Sequence, residues 1–481
     1  MLRFLILATC FGMAASTFLL PCFVNRDASF RPGTGKFEPE HIIAEHACTH
    51  LILGYAKIYP TQGLYNVFDH NDFDYYERFN AVKAANPGLK TLLSIGGPDT
   101  KSWAFSNMLK KRETRKLFAT EIINLARQFN FDGVDVAWFY PAASDKAIFV
   151  DFLQDLKSAS WVSTDGGRQR YMTITATVSG IPHIIENHYD AVAFAHIVNF
   201  INVQTYDYHN GEVTGLNAPL HAPENDTSNL NVEYSLNLWH KLGMPKNKIV
   251  MGIPSYGRVW YLEDKNNTKI GAPAFPAAPF PNSNIEGVVP YAEMCRHIPE
   301  NSPWIFDPFP TPGFVVEGTF WFSYEDEYAV LQKITFVKQN GYAGAFFNSL
   351  DMDDFRGYCK YRFTPTTYPL LGIITHFLEH LPSEYQPPTE APTTTTKNPI
   401  NPYFNPCDIQ DTVNHWNKDN DDCRKYYYCE GRVLHHLSCS EGLFWQQDGG
   451  RDGFGCTYEN YAGCRYAKPY TPPIGFNYTK V

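Results

Sequence analysis

The chain has 481 residues, of which 44% are hydrophobic and 15% aromatic, and this length and composition allow two or three domains with packed cores and exclude a disordered protein. Its formal net charge is −10 at pH 7, without a long basic run, which argues against a nucleic-acid partner. We therefore expect an acidic, soluble, globular protein.

The first segment, residues 1–16, combines one arginine, an apolar run and several small residues. This arrangement is typical of a secretory signal peptide, and the apolar run is too short to span a bilayer. We expect a secreted, extracellular protein without a membrane partner, which loses Cys10 with the signal peptide. Three sequence motifs for N-linked glycosylation fit that compartment, at Asn225, Asn266 and Asn477.

Between residues 17 and 380, β-branched and aromatic runs alternate with helical patterns. Strands separated by helices at this rhythm indicate parallel βαβ units. About eight such units favour an α/β fold with a closed (β/α)8 barrel over a doubly wound open sheet. An interval from about 259 to 330, rich in Pro, Tyr and Trp, breaks the rhythm and predicts an inserted subdomain. Functional groups of such barrels lie at the carboxyl ends of the strands.

Several motifs stand at those strand ends. They are, in chain order, KTLLSIGG, FNFDGVDVAWFYP, INVQTYDYHNG, KIVMGIPSYGR and GYAGAFFNSLDMDDF. They resemble the third, fourth, sixth, seventh and eighth strands of glycoside hydrolase family 18, the chitinases and chitinase-like lectins. The resemblance covers nearly all of residues 17–380 and implies a TIM barrel with a small α+β insertion. It also implies two disulfides, Cys22–Cys48 and Cys295–Cys359.

The fourth-strand motif departs from the family's DxxDxDxE pattern where the chemistry would lie. The resemblance implies a substrate-assisted reaction, in which a Glu protonates the glycosidic oxygen and the sugar's N-acetyl carbonyl attacks the anomeric carbon. Asp132 and Asp135 match the pattern, whereas Ala137 replaces the acetamide-orienting Asp and Phe139 replaces the acid Glu. Asp135 shares the face of position 139 but lies roughly 13 Å below it along the strand. We therefore predict no catalytic residue and no hydrolysis.

Some positions that contact sugar in the family are kept. The resemblance implies that Tyr206 and Asp207 contact the bound ligand, with the Tyr206 hydroxyl meeting the acetamide carbonyl, and Arg258 is a third candidate. The alternative is a purely structural role, because polar residues at strand ends often serve only to tie loops together. From the sequence we favour the structural role. The sugar-binding interpretation survives as a weakened groove.

Three positions that usually carry Trp in the family are occupied by Asp27, Pro98 and Asn348. Their exchange removes flat surface that stacks on pyranose rings, and Asn348 matters most because the family's Trp there lies under the sugar at the cleavage point. Exchange of Trp for Asn opens volume while exchange of Glu for Phe fills it. We expect Phe139 to lean into the space beside Asn348 and close the central sugar subsite.

The C-terminal part begins with a Pro/Thr-rich segment, residues 381–406, which predicts an extended linker. Residues 407–464 contain six cysteines and predict a disulfide-stapled module, followed by a tail, 465–481. The spacing C-x15-C-x5-C-x9-C-x16-C-x7-C resembles the peritrophin-A type chitin-binding domain of invertebrates.

Six cysteines permit fifteen connectivities. The resemblance to peritrophin-A domains implies the pairs Cys407–Cys429, Cys423–Cys464 and Cys439–Cys456. The candidate chitin contacts of the module are aromatic, namely Tyr426, Tyr428 and Trp445.

These features predict a secreted, catalytically inactive chitinase-like protein of arthropod type, similar in layout to mite chitinases and chitinase-like allergens. We expect it to bind chitin or GlcNAc oligosaccharides mainly through the C-terminal module, as a monomer, without cofactor or metal. Two alternatives stay open. One is an active or residual chitinase with an unrecognised acid, and the other is a signalling or immune-facing ligand whose barrel contacts protein.

Overall fold

The computed structural model describes residues 18–43, 48–61, 64–66, 72–163, 169–223, 226–295, 314–359 and 367–380, and five short C-terminal strands. The chain divides into two compact units; the larger contains a barrel with an inserted sheet, and the C-terminal strands belong to the other. The predicted signal peptide and linker lie outside the described residues, as do Asn225 and Asn477.

Eight parallel strands close into a barrel in the larger unit. They are β1 (Pro21–Asn25), β2 (His50–Ala56), β3 (Lys90–Gly96), β4 (Gly133–Ala137), β5 (Thr173–Ser179), β6 (Phe200–Gln204), β7 (Ile249–Pro254) and β8 (Gly344–Asn348). The barrel closes because β1 pairs in parallel with both β2 and β8. The predicted (β/α)8 fold is confirmed.

Helices connect the strands. They are α1 (Asp72–Ala81), α2 (Ser102–Leu109), α3 (Arg112–Gln128), α4 (Lys146–Ala159), α5 (Pro182–His188), α6 (Ala191–Ile197), α7 (Val232–Lys241), α8 (Tyr291–Met294), α9 (Glu327–Asn340) and α10 (Pro369–His380). In α3, Phe118, Ile122 and Leu125 are buried, and their spacing of three or four residues places them on one apolar face.

Short elements complete the larger unit. Strand hairpins pair Tyr59–Thr61 with Leu64–Asn66 and Val162–Ser163 with Gln169–Arg170. Turns of 3₁₀-helix occur at Arg26–Phe30, Gly33–Gly35, Pro39–His41, Val82–Ala84, Ala143–Asp145, Lys246–Lys248 and Leu350–Met352.

Between β7 and β8 the chain forms an antiparallel sheet. Its strands are Tyr256–Leu262, Ala274–Pro276, Val288–Pro290, Phe314–Glu317 and Phe320–Ser323. Trp260 and Trp321 pair across two of these strands and are buried, with ring centroids 5.5 Å apart. An inserted subdomain is therefore present in the interval where the broken rhythm predicts one, and its first strand begins at Tyr256.

One layer of the barrel interior consists of apolar side chains from facing strands. The buried cluster includes Phe23, Ile52, Leu92, Phe200, Val250 and Phe346, and such packing makes the interior a core and leaves the strand ends for function. Both disulfides implied by the family resemblance are present, Cys22–Cys48 and Cys295–Cys359.

The C-terminal strands form two small antiparallel sheets. One contains His415–Lys418, Lys425–Glu430 and Val433–Ser438, and the other pairs Phe444–Gln446 with Gly455–Thr457. Tyr426 and Tyr428 thus lie on a central strand and Trp445 lies in the second sheet. The three disulfides predicted for residues 407–464 lie outside what the structure describes.

Candidate functional site

Asp135 is completely buried inside the barrel. Its Oδ1 accepts hydrogen bonds from Thr175 Oγ1 at 2.7 Å and Asn202 Nδ2 at 3.3 Å, and its Oδ2 accepts from Ser94 Oγ at 2.8 Å and Thr177 Oγ1 at 2.9 Å. Burial raises the pKa of the Asp135 carboxyl, and the hydrogen bonds oppose that rise. The carboxyl therefore joins β3, β4, β5 and β6 as part of the core.

The end of β4 carries no carboxyl group. Ala137, the last residue of the strand, is fully buried, and Phe139 beyond it is half-buried. The Phe139 ring meets the ring of Tyr55, from β2, edge to face with centroids 6.0 Å apart. Between the two positions, Trp138 is buried and stacks on Phe105 at 5.1 Å. This packing holds a methyl group and a phenyl ring at the mouth of the barrel.

Asn348 ends β8, where its carbonyl accepts a hydrogen bond from the Ser255 backbone at 2.8 Å. The described ring contacts of Phe139 are with Tyr55 and Tyr140. Closure of the central subsite by Phe139 against Asn348 stays a prediction.

Charged groups occupy the region of Asp27 and Pro98. Lys57 Nζ lies 2.8 Å from Asp27 Oδ2 and 3.0 Å from Asp99 Oδ2, and Pro98 is exposed. Burial lowers the pKa of Lys57, but its hydrogen bonds to the two carboxylates outweigh burial and raise it. A polar surface therefore stands where an aromatic surface is usual in the family.

The structure brings Tyr206, Asp207 and Arg258 together beside the end of β6. Asp207 Oδ1 accepts from Arg258 Nη2 at 2.7 Å, and Asp207 Oδ2 accepts from Tyr256 Oη at 2.9 Å. Asp207 has a left-handed φ of +59°, a conformation that is uncommon for a non-glycine residue, and its N–H donates to Asn217 Oδ1 at 3.1 Å. Tyr206 is buried edge-on against Tyr256.

Arg258 reaches this site from the first strand of the insertion. Burial lowers the pKa of Arg258, whereas the Asp207 charge and the hydrogen bond to it raise that pKa by more, so the guanidinium stays charged. The pair is oriented by contacts on both sides, which makes it a fixed polar wall of the mouth.

Two polar residues of the mouth were not among the sequence-predicted site residues. Tyr140 Oη donates to Gln204 Oε1 at 2.7 Å, which links the segment after β4 to the end of β6. Gln204 precedes Tyr206 by two residues, and the two-residue alternation of strands could have indicated that both face the mouth.

Asn266 is the one predicted glycosylation residue within the described ranges, and it is exposed.

Across the described ranges, no three His, Cys, Asp or Glu side chains are grouped so as to hold a metal ion. None of the helices in the described part of the chain has the length and apolar character needed to cross a membrane.

Comparison with known sequences identifies one family and several relatives. Residues 21–353 match the glycosyl hydrolases family 18. A protein named probable endochitinase from Caenorhabditis elegans is 32% identical over 371 residues, or 75% of this chain and 60% of that protein. Chitinase-3-like protein 2 of Homo sapiens is 33% identical over 350 residues, which cover 71% of this chain and 88% of the human protein.

Solved structures of similar proteins include both enzymes and proteins without activity. An immunomodulatory active chitinase from Trichuris suis superposes with a TM-score of 0.68 at 32% identity, covering 75% of this chain and all of that one. Human YKL-39, described as a pseudo-chitinase with retained chitooligosaccharide binding properties, gives 0.67 at 32% identity, covering 76% and 100%. By sequence and by fold, the chain belongs to glycosyl hydrolase family 18.

Proposed function

We propose that this protein is a secreted, chitin-binding member of family 18 that does not hydrolyse its ligand. The observation that carries the proposal is the end of β4, where Ala137 and Phe139 offer only hydrocarbon. General acid catalysis needs a proton donor within hydrogen-bond reach of the leaving oxygen, and neither side chain has one.

Two neighbouring carboxyl groups are already engaged and do not replace the missing acid. Asp135 lies inside the core with four hydrogen bonds to its oxygens. Asp207 accepts hydrogen bonds from Arg258 and Tyr256. Both groups accept hydrogen bonds from their neighbours, and neither is placed to donate a proton to a glycosidic oxygen.

Sugar binding is supported from two directions. The cluster of Tyr206, Asp207 and Arg258 remains assembled at the barrel mouth, and a pseudo-chitinase of the same fold retains chitooligosaccharide binding. The stacking surface is reduced at Asp27 and Asn348. We therefore assign most of the affinity for chitin to residues 407–464, interpreted as an arthropod-type peritrophin-A module.

The test measures retention on chitin beads and cleavage of a fluorogenic chitotriose substrate with the full chain. We expect retention without cleavage, and we expect Trp445→Ala to lose retention because an aromatic face that stacks on the sugar is removed. Trp161→Ala is the matched control, since it removes an exposed Trp side chain that lies in the barrel unit. Cleavage by the purified wild-type protein would overturn the proposed absence of hydrolysis.

A further inference from the structure

The inserted sheet has two faces of different character. Side chains alternate between the faces of a strand, and in the first strand of the insertion Trp260 is buried while Tyr261 is 42% exposed. Trp260 and Trp321 belong to a buried cluster on the inner face. Their indole nitrogens donate to backbone carbonyls at 2.9 and 3.1 Å. The packing that holds the sheet in place is therefore supplied by its inner face.

The outer face carries a row of aromatic rings. The strand register places Phe275 and Phe320 directly opposite Tyr261, on the two strands beside it. Phe275 is 51% exposed and Phe320 is half-buried. The Tyr261 and Phe320 ring centroids lie 4.4 Å apart, and the Phe322 ring lies 5.8 Å from that of Phe320. We call Phe275, Tyr261 and Phe320 the outer aromatic row.

The outer aromatic row is separate from the polar groups of the barrel mouth. Arg258, on the same strand as Tyr261, pairs with Asp207 at the mouth at 2.7 Å. Because Arg258 and Tyr261 are three positions apart, they lie on opposite faces of that strand. The row belongs to the barrel unit and not to residues 407–464. A ligand of the row would therefore occupy a surface that neither the mouth nor the C-terminal module provides.

The size of the outer aromatic row favours a small contact area. An aromatic side chain can bury roughly 150–250 Å², so three partly exposed rings offer about 300 Å². A stable protein–protein interface buries about 800 Å² on each partner, which is well above that area. The row spans two strand spacings, about 10 Å, a length comparable to that of a disaccharide.

The chemistry of the outer aromatic row favours a neutral sugar. Flat aromatic rings match the apolar face of a pyranose, and the Tyr261 hydroxyl can exchange hydrogen bonds with sugar hydroxyls. Glu317 stands opposite Phe320 at the end of the row, and the chain has a formal net charge of −10. These negative charges disfavour an anionic polysaccharide or an anionic membrane surface.

We propose that the outer aromatic row is a second carbohydrate-binding surface, which contacts the flat face of an insoluble neutral polysaccharide of the chitin class. This inference rests on the proposed chitin-binding function. The row acts together with the C-terminal module, because two contacts on one polymer raise the apparent affinity above that of either contact alone. A short soluble oligosaccharide occupies one contact at a time and gains nothing from the second.

The test measures binding isotherms of the full chain on chitin beads and calorimetric binding of soluble chitotetraose. Tyr261→Ala and Phe275→Ala should each weaken the apparent affinity for the beads about threefold, and the double variant about tenfold, with unchanged affinity for the tetramer. Tyr261→Phe keeps the ring and should bind the beads nearly as the wild type does. Tyr171→Ala is the matched control, because it removes an exposed Tyr side chain outside the inserted sheet.

Two results would overturn the inference: full affinity of the double variant for the beads, or an equal loss of affinity for the beads and the tetramer. A wild-type dimer that Tyr261→Ala dissociates, measured by sedimentation, would also overturn it, because the row would then contact a second copy of the chain. The urea midpoint of each variant reports folding. Phe275→Ala keeps the test decisive if Tyr261→Ala unfolds through loss of packing on Phe320.

Failure of this inference is distinguishable from failure of the proposed function. If the wild-type chain and the double variant stay on the beads with equal affinity, the outer aromatic row has no role and chitin binding stands. If the wild-type chain is not retained on the beads, the proposed function is wrong and this inference fails with it.

Discussion

The two sides of the barrel mouth differ in the polar groups that they carry. At the end of β4, the chemistry-bearing positions hold Ala137 and Phe139, and the phenyl ring packs against Tyr55. At the end of β6, Asp207 still accepts hydrogen bonds from Tyr256 and Arg258. Under the proposed absence of hydrolysis, the groups that serve bond cleavage are exchanged while the hydrogen bonds of Asp207 beside them are kept.

The contrast also occurs within one strand. Asp135 and Ala137 are two residues apart on β4, and both face the barrel interior. Asp135 is kept where its loss would leave four buried donors without their acceptor. The position two residues beyond tolerates a methyl group, because the fold makes no such demand there.

The largest effect is expected from rebuilding the β4 side. Phe139→Glu alone should remain inactive, because the acetamide is not positioned. The triple variant Phe139→Glu/Ala137→Asp/Asn348→Trp should cleave fluorogenic chitotriose about 10²- to 10⁴-fold above the wild-type background, the usual contribution of general acid–base catalysis.

The matched control for that experiment carries Phe139→Gln with the same two companion changes. It has nearly the size of the Glu variant but no acid proton, so it should stay at background. Appreciable cleavage by the Phe139→Glu single variant would show that Ala137 and Asn348 matter less than proposed.

The next effect concerns the core beneath the mouth. Asp135→Ala should lower the free energy of unfolding by about 3 kcal/mol, measured by urea denaturation, because buried donors lose their acceptor. Asp135→Asn should cost about 1 kcal/mol, since the amide keeps one acceptor oxygen and the neighbouring hydroxyls can reorient.

Comparison of the wild-type protein with Asp135→Asn also gives a pH test. Burial raises the pKa of Asp135 above its ordinary value of 3.8, so the folded state binds the proton more tightly than the unfolded state. The Asp135 contribution to stability is therefore full below pH 3.8 and is lost as pH rises through the raised pKa. Between pH 3.8 and the raised pKa, the free energy of unfolding of the wild-type protein should fall relative to that of Asp135→Asn. Parallel pH curves for the two proteins would contradict a raised pKa of Asp135.

A smaller effect is expected on the β6 side. Asp207→Ala should lower the free energy of unfolding by about 2 kcal/mol. The variant loses the charge-assisted hydrogen bonds to Arg258, and it places an Ala side chain at a left-handed backbone conformation, which is unfavourable. Asp207→Gly loses the same contacts without the backbone penalty, and should be about 1 kcal/mol more stable than Asp207→Ala. Equal stability of the two variants would show that the backbone at 207 relaxes.

The smallest effect is expected from the charged group formed by Lys57, Asp27 and Asp99. Lys57→Met removes ion pairs to Asp27 and Asp99, and partly exposed pairs of this kind contribute about 1 kcal/mol or less. The difference from wild type should shrink further at high salt. A loss that is large and independent of salt would show that Lys57 packs as part of the core.

Much of the site can be predicted from local pattern. Strand alternation and the position of strand ends predict that Ala137 and Phe139 face the mouth, and the family motif identifies what they replace. The rhythm of strands and helices predicts the barrel. These conclusions need only near neighbours in the chain, because side-chain direction in a strand repeats every two residues.

The tertiary structure alone decided which distant side chains meet. Arg258 lies 51 positions from Asp207 in the sequence, and Gln204 lies 64 positions from Tyr140. Their contacts depend on closure of the barrel and on the path of the insertion. Periodicity indicates which face of an element a residue occupies. A hydrogen bond requires a donor–acceptor distance that is correct to within a few tenths of an ångström, and only the packed chain sets that distance.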